Sequence, residues 1–226
     1  MREFQADGRT ISGYLAVPKQ GSGPGVVVLH AWWGLTDIFK HACDRLAEAG
    51  FVALAPDLYQ GKTTASIEEA QVLGDALDRD MERWRGDIAG AMQVLRQHDA
   101  THLAGGRGKL AFVGFSLGGA YALDMSVTQA EEVAAVVTFY DSYPGLDYRR
   151  AKAAYLLHFA EDDPFKSAES VAEMEQELQA AGRTVTVYTY PGTKHWFMEE
   201  NRPEYNAQAA RLAWEHTIEF LHQQLD

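Results

Sequence analysis

The chain has 226 residues, with 20 Lys and Arg against 32 Asp and Glu, so its formal net charge is −12. Such an acidic chain has no cationic surplus with which to displace the counterions of nucleic acid, and it lacks the polybasic character of a membrane-surface protein. Hydrophobic residues make up 46% of the sequence, which excludes a disordered chain and is enough for the core of one domain over residues 1–226.

The first residues and the cysteine content indicate where the protein works. The opening MREFQADGRT is charged and polar where a signal peptide needs an apolar stretch, and no apolar run is long enough to cross a membrane. The single cysteine, Cys43, cannot form an internal disulfide. We therefore expect a cytoplasmic protein without nucleic-acid or membrane partners, either a monomer or a small homo-oligomer.

Taken in chain order, the predicted elements describe an α/β domain. Two extended segments joined by the turn dipeptide Asp7-Gly8 predict an antiparallel hairpin over residues 4–17 at a sheet edge. Continuous apolar runs then alternate with segments of helical period, as in a parallel sheet with helices on both faces. The predicted strands are 26–29, 51–55, 110–115, 133–139, 154–159 and 184–190, and the predicted helices are 39–49, 84–98, 118–126, 167–180 and 208–223. Gly50 and Gly182 stand where helix C-caps usually fall.

One stretch, residues 59–83, departs from this alternation because it is long, polar and rich in Asp and Glu. A solvated helical insertion is the simpler interpretation, and a flap that covers a substrate is the alternative.

The strongest motif is Gly114-Phe115-Ser116-Leu117-Gly118. An apolar strand leads directly into it and a helical segment follows it, which is the context of a nucleophile elbow. The two glycines remove side chains that would collide at a tight strand-to-helix turn. The motif therefore predicts Ser116 as a nucleophile exposed at the end of a strand.

A serine nucleophile needs a base, and His195 is the best candidate among eight histidines. It follows the last predicted strand, which we expect Pro191-Gly192 to break. The other histidines fall within a strand (His158), in or at the end of helical segments (His41, His98, His216, His222), in a linker (His102), or at the end of a central strand (His30).

The acid that orients the base should follow a strand between Ser116 and His195. Asp163 stands three residues past Ala160, and Pro164 fixes the exit of the turn. Asp141, after the strand at 133–139, is the alternative. The order Ser116, Asp163, His195 is the one this type of fold uses.

An oxyanion hole requires two main-chain donors near the serine. The N–H of Leu117 is one, and the loop after the strand at 26–29 offers the N–H of Trp32 as the second. Trp33 and His30 could line the substrate pocket, while core packing for the tryptophans and a structural role for His30 are equally consistent with the sequence.

Together these residues resemble the dienelactone hydrolase family of α/β hydrolases over nearly the whole chain. The matching stretches are GVVVLHAWWGL, GFVALAPDLYQG, KLAFVGFSLGGAYAL, LLHFAEDDPF and YPGTKHWF. The resemblance implies an eight-stranded, largely parallel sheet, a triad of Ser116, Asp163 and His195, and no cofactor. No zinc or dinucleotide motif in the sequence argues for one either.

Three features differ from the namesake enzyme of that family. Ser116 stands where it has a cysteine, Ala31 where it has a glutamate, and Gln93 and Glu199 where it has arginines that bind the dienelactone carboxylate. The resemblance therefore leaves the acyl and alcohol groups of the substrate open.

The sequence thus predicts a serine hydrolase that cleaves a small ester or lactone through an acyl-enzyme. A thioesterase or acyltransferase with the same triad, and a non-catalytic ligand-binding member of the fold, are the alternatives. Glu199 and the acidic stretch 59–83 are expected to disfavour anionic substrates.

Overall fold

The computed structural model describes residues 1–6, 8–102 and 109–226. These residues form two compact units, Met1–Leu110 and Ala111–Asp226, and each is described by itself. The prediction of one domain over 1–226 stays a prediction.

Within the described residues the strands are β1 (Arg2–Ala6), β2 (Arg9–Ala16), β3 (Gly23–Leu29), β4 (Val52–Pro56), β5 (Thr101–His102), β6 (Leu110–Phe115), β7 (Val133–Phe139), β8 (Ala154–Asp162) and β9 (Val185–Lys194). The helices are α1 (Asp37–Glu48), α2 (Ile67–Asp78), α3 (Met81–Gln97), α4 (Leu117–Thr128), α5 (Ala168–Ala180) and α6 (Ala207–Leu225).

In the first unit, the strands lie in the order β1-β2-β4-β3, with β5 paired to β3. The pairs β1-β2 and β2-β4 are antiparallel, whereas β3 pairs with both β4 and β5 in parallel. The predicted antiparallel hairpin is therefore confirmed in β1 and β2, whereas Asp7 of the predicted turn lies outside the described residues. The run Val26–Leu29 is wholly buried, as a continuous apolar strand covered on both faces requires. Helices α1 and α3 pack on these strands.

The acidic stretch 59–83 contains α2 and the first turn of α3. Ser66 caps α2 by accepting the N–H of Glu69, and Ala70, Gly74 and Leu77 form its buried face. Most other positions of α2 are exposed, including Val72. The helical part of the prediction is confirmed.

In the second unit, the order is β6-β7-β8-β9, and β8 runs parallel to both β7 and β9. Helix α4 packs on β7, α6 packs on β7 and β8, and α5 packs on β9. Strands β6 and β7 are almost entirely buried, so core packing holds their carboxyl ends in place. Ser116 follows β6, and Asp163 follows β8.

Two local expectations differ from the structure. Strand β9 does not end at Pro191-Gly192 but continues to Lys194, because a register shift opposite Ala160–Asp162 absorbs the extra residues. His102 lies in the short strand β5 rather than in a linker, and a two-residue strand is too short to leave a pattern in the sequence.

The predicted helix ends are confirmed at Gly50 and Gly182, which have φ of 102° and 72°. Both glycines follow the last turn of a helix. A left-handed residue at that position lets its own N–H and the next one donate to the free carbonyl groups of the helix. In the described part of the chain, no helix combines the length and the apolar character needed to cross a membrane.

Candidate active site

Ser116 occupies a strained turn between β6 and α4. Its φ is 48° and its ψ −123°, a combination that L-residues rarely adopt. Its main-chain N–H donates to Phe139 O at 2.9 Å, which ties the turn to the end of β7. A Cβ atom at Gly114 would lie 2.4 Å from the carbonyl oxygen of Gly118, so the close approach of strand and helix requires glycine there. The predicted elbow geometry is present.

A chain of two hydrogen-bond distances links Ser116 to the predicted base and acid. Ser116 Oγ lies 3.0 Å from Nε2 of His195, and Nδ1 of His195 lies 2.7 Å from Oδ2 of Asp163. All three side chains are buried or nearly so, with the His195 and Asp163 side chains 3% and 4% exposed. The structure therefore brings together the three residues that the sequence singles out.

The second oxygen of Asp163 is held by the main chain. Oδ1 accepts the N–H groups of Phe165 at 2.9 Å and Lys166 at 3.2 Å. A carboxylate that accepts two amides on one oxygen is fixed in rotation, and its other oxygen is aimed at the imidazole. This turn is built by the residues that follow β8, with Pro164 at its centre.

Asp141, the alternative acid, has a different partner. Its carboxylate is 4% exposed and lies 2.7 Å from Nζ of Lys166. Burial raises the pKa of Asp141 to about 6, although Lys166 acts in the opposite direction. The hydrogen bond to the His195 imidazole is made by Asp163, so the geometry favours Asp163 over Asp141 as the orienting acid.

Three aromatic rings surround the His195 imidazole. The ring centroids of Tyr140, Phe165 and Trp196 lie 4.7, 4.8 and 5.1 Å from that of His195. Tyr140 is fully buried, whereas Phe165 is 44% exposed. Sequence reasoning missed Tyr140 and Phe165, although each stands within two residues of a candidate acid, Asp141 or Asp163.

Glu199, which the sequence leads us to expect to disfavour anionic substrates, lies inside the protein rather than on its surface. It is fully buried, and Oε1 accepts the hydroxyl of Tyr140 at 2.8 Å. Its position four residues after His195 gave no sign of this, because the chain turns back on itself after β9.

His30 lies in the first unit with both ring nitrogens engaged by the main chain. Nδ1 lies 2.8 Å from the carbonyl oxygen of Ala31, and Nε2 accepts the N–H of Leu58 at 3.2 Å. The ring is 1% exposed, and burial lowers its pKa. This geometry favours the structural role for His30 over a substrate contact.

Trp32 and Trp33 follow β3 in the same loop. Trp33 is 2% exposed, which matches core packing. Trp32 is half-buried, and its ring packs on α2, where a Cβ at Gly74 would lie 3.0 Å from the indole nitrogen. Leu117 is the first residue of α4, where N–H groups have no helical acceptor. The pairing of the Trp32 and Leu117 N–H groups as an oxyanion hole stays a prediction.

The remaining family-specific positions are also in the first unit. Ala31 is fully buried after β3, and Gln93 is half-buried on α3. Within residues 1–6, 8–102 and 109–226, no group of three or more His, Cys, Asp or Glu side chains is arranged to hold a metal ion.

Comparison with known proteins places this geometry in a family. The model of the dienelactone hydrolase family matches residues 11–225. Protein usf of Aquifex pyrophilus is 31% identical over 232 residues, covering 100% of this chain and 98% of that protein. A Bradyrhizobium protein named "probable 2-oxo-3-(5-oxofuran-2-ylidene)propanoate lactonase" is 30% identical and covers 97% and 92% of the two chains.

A solved structure shares the fold. The crystal structure of a dienelactone hydrolase-like promiscuous phosphotriesterase, P91, from metagenomic libraries superposes with a TM-score of 0.86 at 23% identity. The match covers 99% of this chain and 97% of the other. The predicted fold class, an α/β-hydrolase fold with a mostly parallel sheet and an antiparallel hairpin at its N-terminus, is confirmed.

Proposed function

Because this chain belongs to the dienelactone hydrolase family, whose members are hydrolases of esters and lactones, we propose that it cleaves a small carboxylic ester or lactone with Ser116 as nucleophile. The observation that carries this proposal is the hydrogen-bond chain from Ser116 Oγ through the His195 imidazole to Asp163, with distances of 3.0 and 2.7 Å. Serine becomes a competent nucleophile only when a base takes its proton, and this chain supplies one.

The contacts of Asp163 support one tautomer of His195. Oδ1 is already occupied by two main-chain N–H groups, so Oδ2 is the oxygen that accepts from the imidazole. The proton of neutral His195 therefore sits on Nδ1, and the lone pair of Nε2 faces the hydroxyl of Ser116. This is the arrangement that general-base catalysis requires.

The reaction then proceeds in two halves. Ser116 Oγ attacks the carbonyl carbon while Nε2 of His195 takes its proton, and the same proton passes to the leaving alcohol as the acyl-enzyme forms. A water molecule next attacks the acyl group, with His195 again as base, and Ser116 is released with the acid product. In this proposal the Leu117 N–H stabilises the negative oxygen in both tetrahedral intermediates, and losing such a donor typically costs about 10²–10³ in turnover.

The surroundings of His195 favour an uncharged or cationic ester. The carboxylate of Asp163 is buried and lies 2.7 Å from the imidazole, and the carboxylate of Glu199 is buried against the hydroxyl of Tyr140, whose ring contacts the same imidazole. Buried negative charge lowers the affinity for an anionic group nearby. The exposed ring of Phe165 against His195 offers an apolar surface to the leaving group.

Pre-steady-state hydrolysis of p-nitrophenyl acetate tests this function. We expect a burst of p-nitrophenol close to one equivalent per chain, followed by slower turnover. Ser116→Ala should abolish the burst, and His195→Ala should slow it by several orders of magnitude. A folded wild type that releases no p-nitrophenol, or a Ser116→Ala variant that retains the burst, would overturn the proposal. A matched panel of oxygen esters and thioesters then distinguishes an esterase from a thioesterase.

A further inference from the structure

Left-handed backbone conformations cluster around the candidate triad. Within the described residues, four non-glycine residues have positive φ: Gln60, Ser116, Tyr140 and Trp196. Ser116 is hydrogen-bonded to His195, and the rings of Tyr140 and Trp196 contact its imidazole. Such a backbone conformation is energetically unfavourable for a residue with a side chain, and it persists where a site needs a fixed geometry.

Tyr140 has no role in the mechanism proposed above, although its ring contacts the base. It follows β7 with φ of 48°, and its N–H donates to the carbonyl oxygen of His158 on β8 at 2.7 Å. A left-handed residue interrupts the alternation of side chains between the two faces of a strand. The ring centroid of Tyr140 lies 4.7 Å from that of His195, and the two ring planes are tilted by 54°. Tyr140 is 0% exposed, so the ring is part of a rigid wall.

Glu199 fixes the far end of that ring. Its carboxylate accepts the Tyr140 hydroxyl at 2.8 Å. Burial and the neighbouring Glu199 raise the pKa of Tyr140 well above its usual value, so the phenol remains a donor. A buried carboxylate is strongly destabilising when it lacks a hydrogen-bond donor, so the fully buried carboxylate of Glu199 favours a conformation in which Tyr140 keeps donating to it.

The bond also joins two segments that carry the site. Glu199 belongs to the turn after β9 that presents His195, and its own N–H donates to the carbonyl oxygen of Trp196 at 2.9 Å. Tyr140 belongs to the end of β7, whose last residue, Phe139, accepts the N–H of Ser116. The Tyr140–Glu199 bond thus ties the turn of the base to the strand that supports the nucleophile.

We propose that Tyr140, oriented by its hydrogen bond to Glu199, is a positioning residue that holds the His195 imidazole between Ser116 and Asp163. This inference rests on the proposed serine-hydrolase function. Without the bond, the ring of Tyr140 can turn away from His195 and the imidazole gains freedom. A displacement of about 1 Å in a catalytic group can cost as much as 10² in rate.

Matched variants separate positioning from general destabilisation. The measurements are the acylation rate constant at saturating p-nitrophenyl acetate and the ester concentration that gives half of that rate. Tyr140→Phe should lower the rate constant about tenfold and leave the half-saturating concentration within about twofold. The control is Tyr155→Phe, which also removes the hydroxyl of a fully buried tyrosine, one bonded to Ser126 at 2.8 Å, and which should leave both quantities unchanged.

Two substitutions of Glu199 test the partner. Glu199→Gln keeps an oxygen that can accept the Tyr140 hydroxyl, and its acylation rate should stay within about threefold of the wild type. Glu199→Leu removes the acceptor and should match the tenfold loss of Tyr140→Phe, and the double variant Tyr140→Phe/Glu199→Leu should be no slower than either single variant.

The outcomes decide the inference independently of the function. Equal acylation rates in Tyr140→Phe and Tyr155→Phe, or an effect on half-saturation alone, would overturn positioning even when Ser116→Ala is inactive. A Gln variant as slow as the Leu variant would overturn orientation through the hydrogen bond and assign the effect to the charge of Glu199. Failure of the proposed function itself would instead show as a wild type without any acylation burst.

Discussion

At the scale of single residues, contacts separate two carboxylates that sequence position alone does not separate. Asp163 and Asp141 each follow a parallel strand and each is almost fully buried. Asp163 faces the imidazole and has its second oxygen held by main-chain amides, whereas Asp141 faces the ammonium group of Lys166. Their environments therefore predict different consequences of the same substitution.

Asp163→Asn should lower kcat by about 10⁴, because the amide presents a donor to Nδ1 and favours the wrong tautomer of His195. Asp141→Asn leaves the hydrogen bond between His195 and Asp163 in place, and we expect a loss of less than about tenfold. Steady-state ester hydrolysis at pH 8 checks both. Similar losses in the two variants would contradict the assignment of Asp163 as the orienting acid.

Asp141 should also make the free energy of unfolding depend on pH. Burial raises its pKa from 3.8 to about 6, so the folded protein holds this proton more tightly than the unfolded chain does. The stability it contributes is fully present below pH 3.8 and is lost as the pH rises towards 6, for a total of about 3 kcal/mol.

Urea unfolding of the wild type and of Asp141→Asn at pH 4 to 7 measures this effect. The free energy of unfolding of the wild type should fall relative to that of the variant as the pH rises. A difference that is constant over this range, or that grows in the other direction, would show that burial does not raise the pKa of Asp141.

The sequence could name candidate site residues where a local motif marked the position, and their catalytic roles stay a prediction. Ser116 lies in a glycine-bounded turn, and Asp163 and His195 follow strands in a fixed order, so all three could be named. Tyr140 and Glu199 could not, because their meeting depends on a left-handed residue after β7 and on a turn after β9. Neither feature leaves a periodic pattern in the sequence.

At the scale of elements, the join between β6 and α4 fixes the position of the nucleophile. A Cβ at Gly114 would lie 2.4 Å from Gly118 O and 2.7 Å from the Cα of Gly119, so even alanine forces the strand and the helix apart. Gly114→Ala should lower the acylation rate by about 10² or more and destabilise the fold by roughly 1–3 kcal/mol.

Gly86→Ala on α3 is the matched control. The three atoms nearest to its added methyl group all belong to the guanidinium end of Arg9, which can move, and alanine favours a helix over glycine by about 1 kcal/mol. We expect unchanged acylation and equal or higher stability by thermal unfolding. Full activity in Gly114→Ala would show that Ser116 remains in place when β6 and α4 lie farther apart than they do in the structure.

Element prediction worked best for buried strands. The bounds 110–115 and 133–139 agree with β6 and β7 because a continuous apolar run has clear ends. It failed at the edges, where β9 passes through Pro191-Gly192 by means of a register shift and β5 is only two residues long. The ends of edge strands are set by hydrogen bonding to the neighbouring strand more than by hydrophobic burial, so the amino-acid composition does not show where they begin and end.

At the scale of the whole molecule, a buried polar layer joins two strands and a helix of the second unit. His158 on β8 is hydrogen-bonded to Tyr190 of β9 at 2.8 Å and to Thr217 of α6 at 3.1 Å. Burial lowers the pKa of His158 from 6.5 to about 3, so the folded protein keeps it neutral. As the pH falls below 6.5 the unfolded chain binds a proton that the folded protein excludes, and stability is lost.

His158→Gln should therefore be less sensitive to acid than the wild type, since glutamine keeps a donor and an acceptor but does not titrate. Between pH 7 and pH 4, the wild type should lose on the order of 3 kcal/mol more than the variant. Denaturant unfolding at the two pH values measures the difference. If the free energy of unfolding fell equally in the two proteins, the folded protein would bind a proton on His158 as readily as the unfolded chain does, and burial would not lower its pKa.

The fold class was predictable because it depends on the whole pattern of alternating strands and helices rather than on any one boundary. The substrate was not, because the acyl and alcohol pockets depend on side chains that meet only after folding. The net charge of −12 does not identify the ester.

The most direct test of the account is the site of covalent modification by a fluorophosphonate. Intact mass and peptide mapping of the folded wild type should show one adduct per chain, located on Ser116, and none on Ser116→Ala treated in parallel. An unmodified wild type, or an adduct that maps to another residue, would contradict the assignment of Ser116 as the nucleophile.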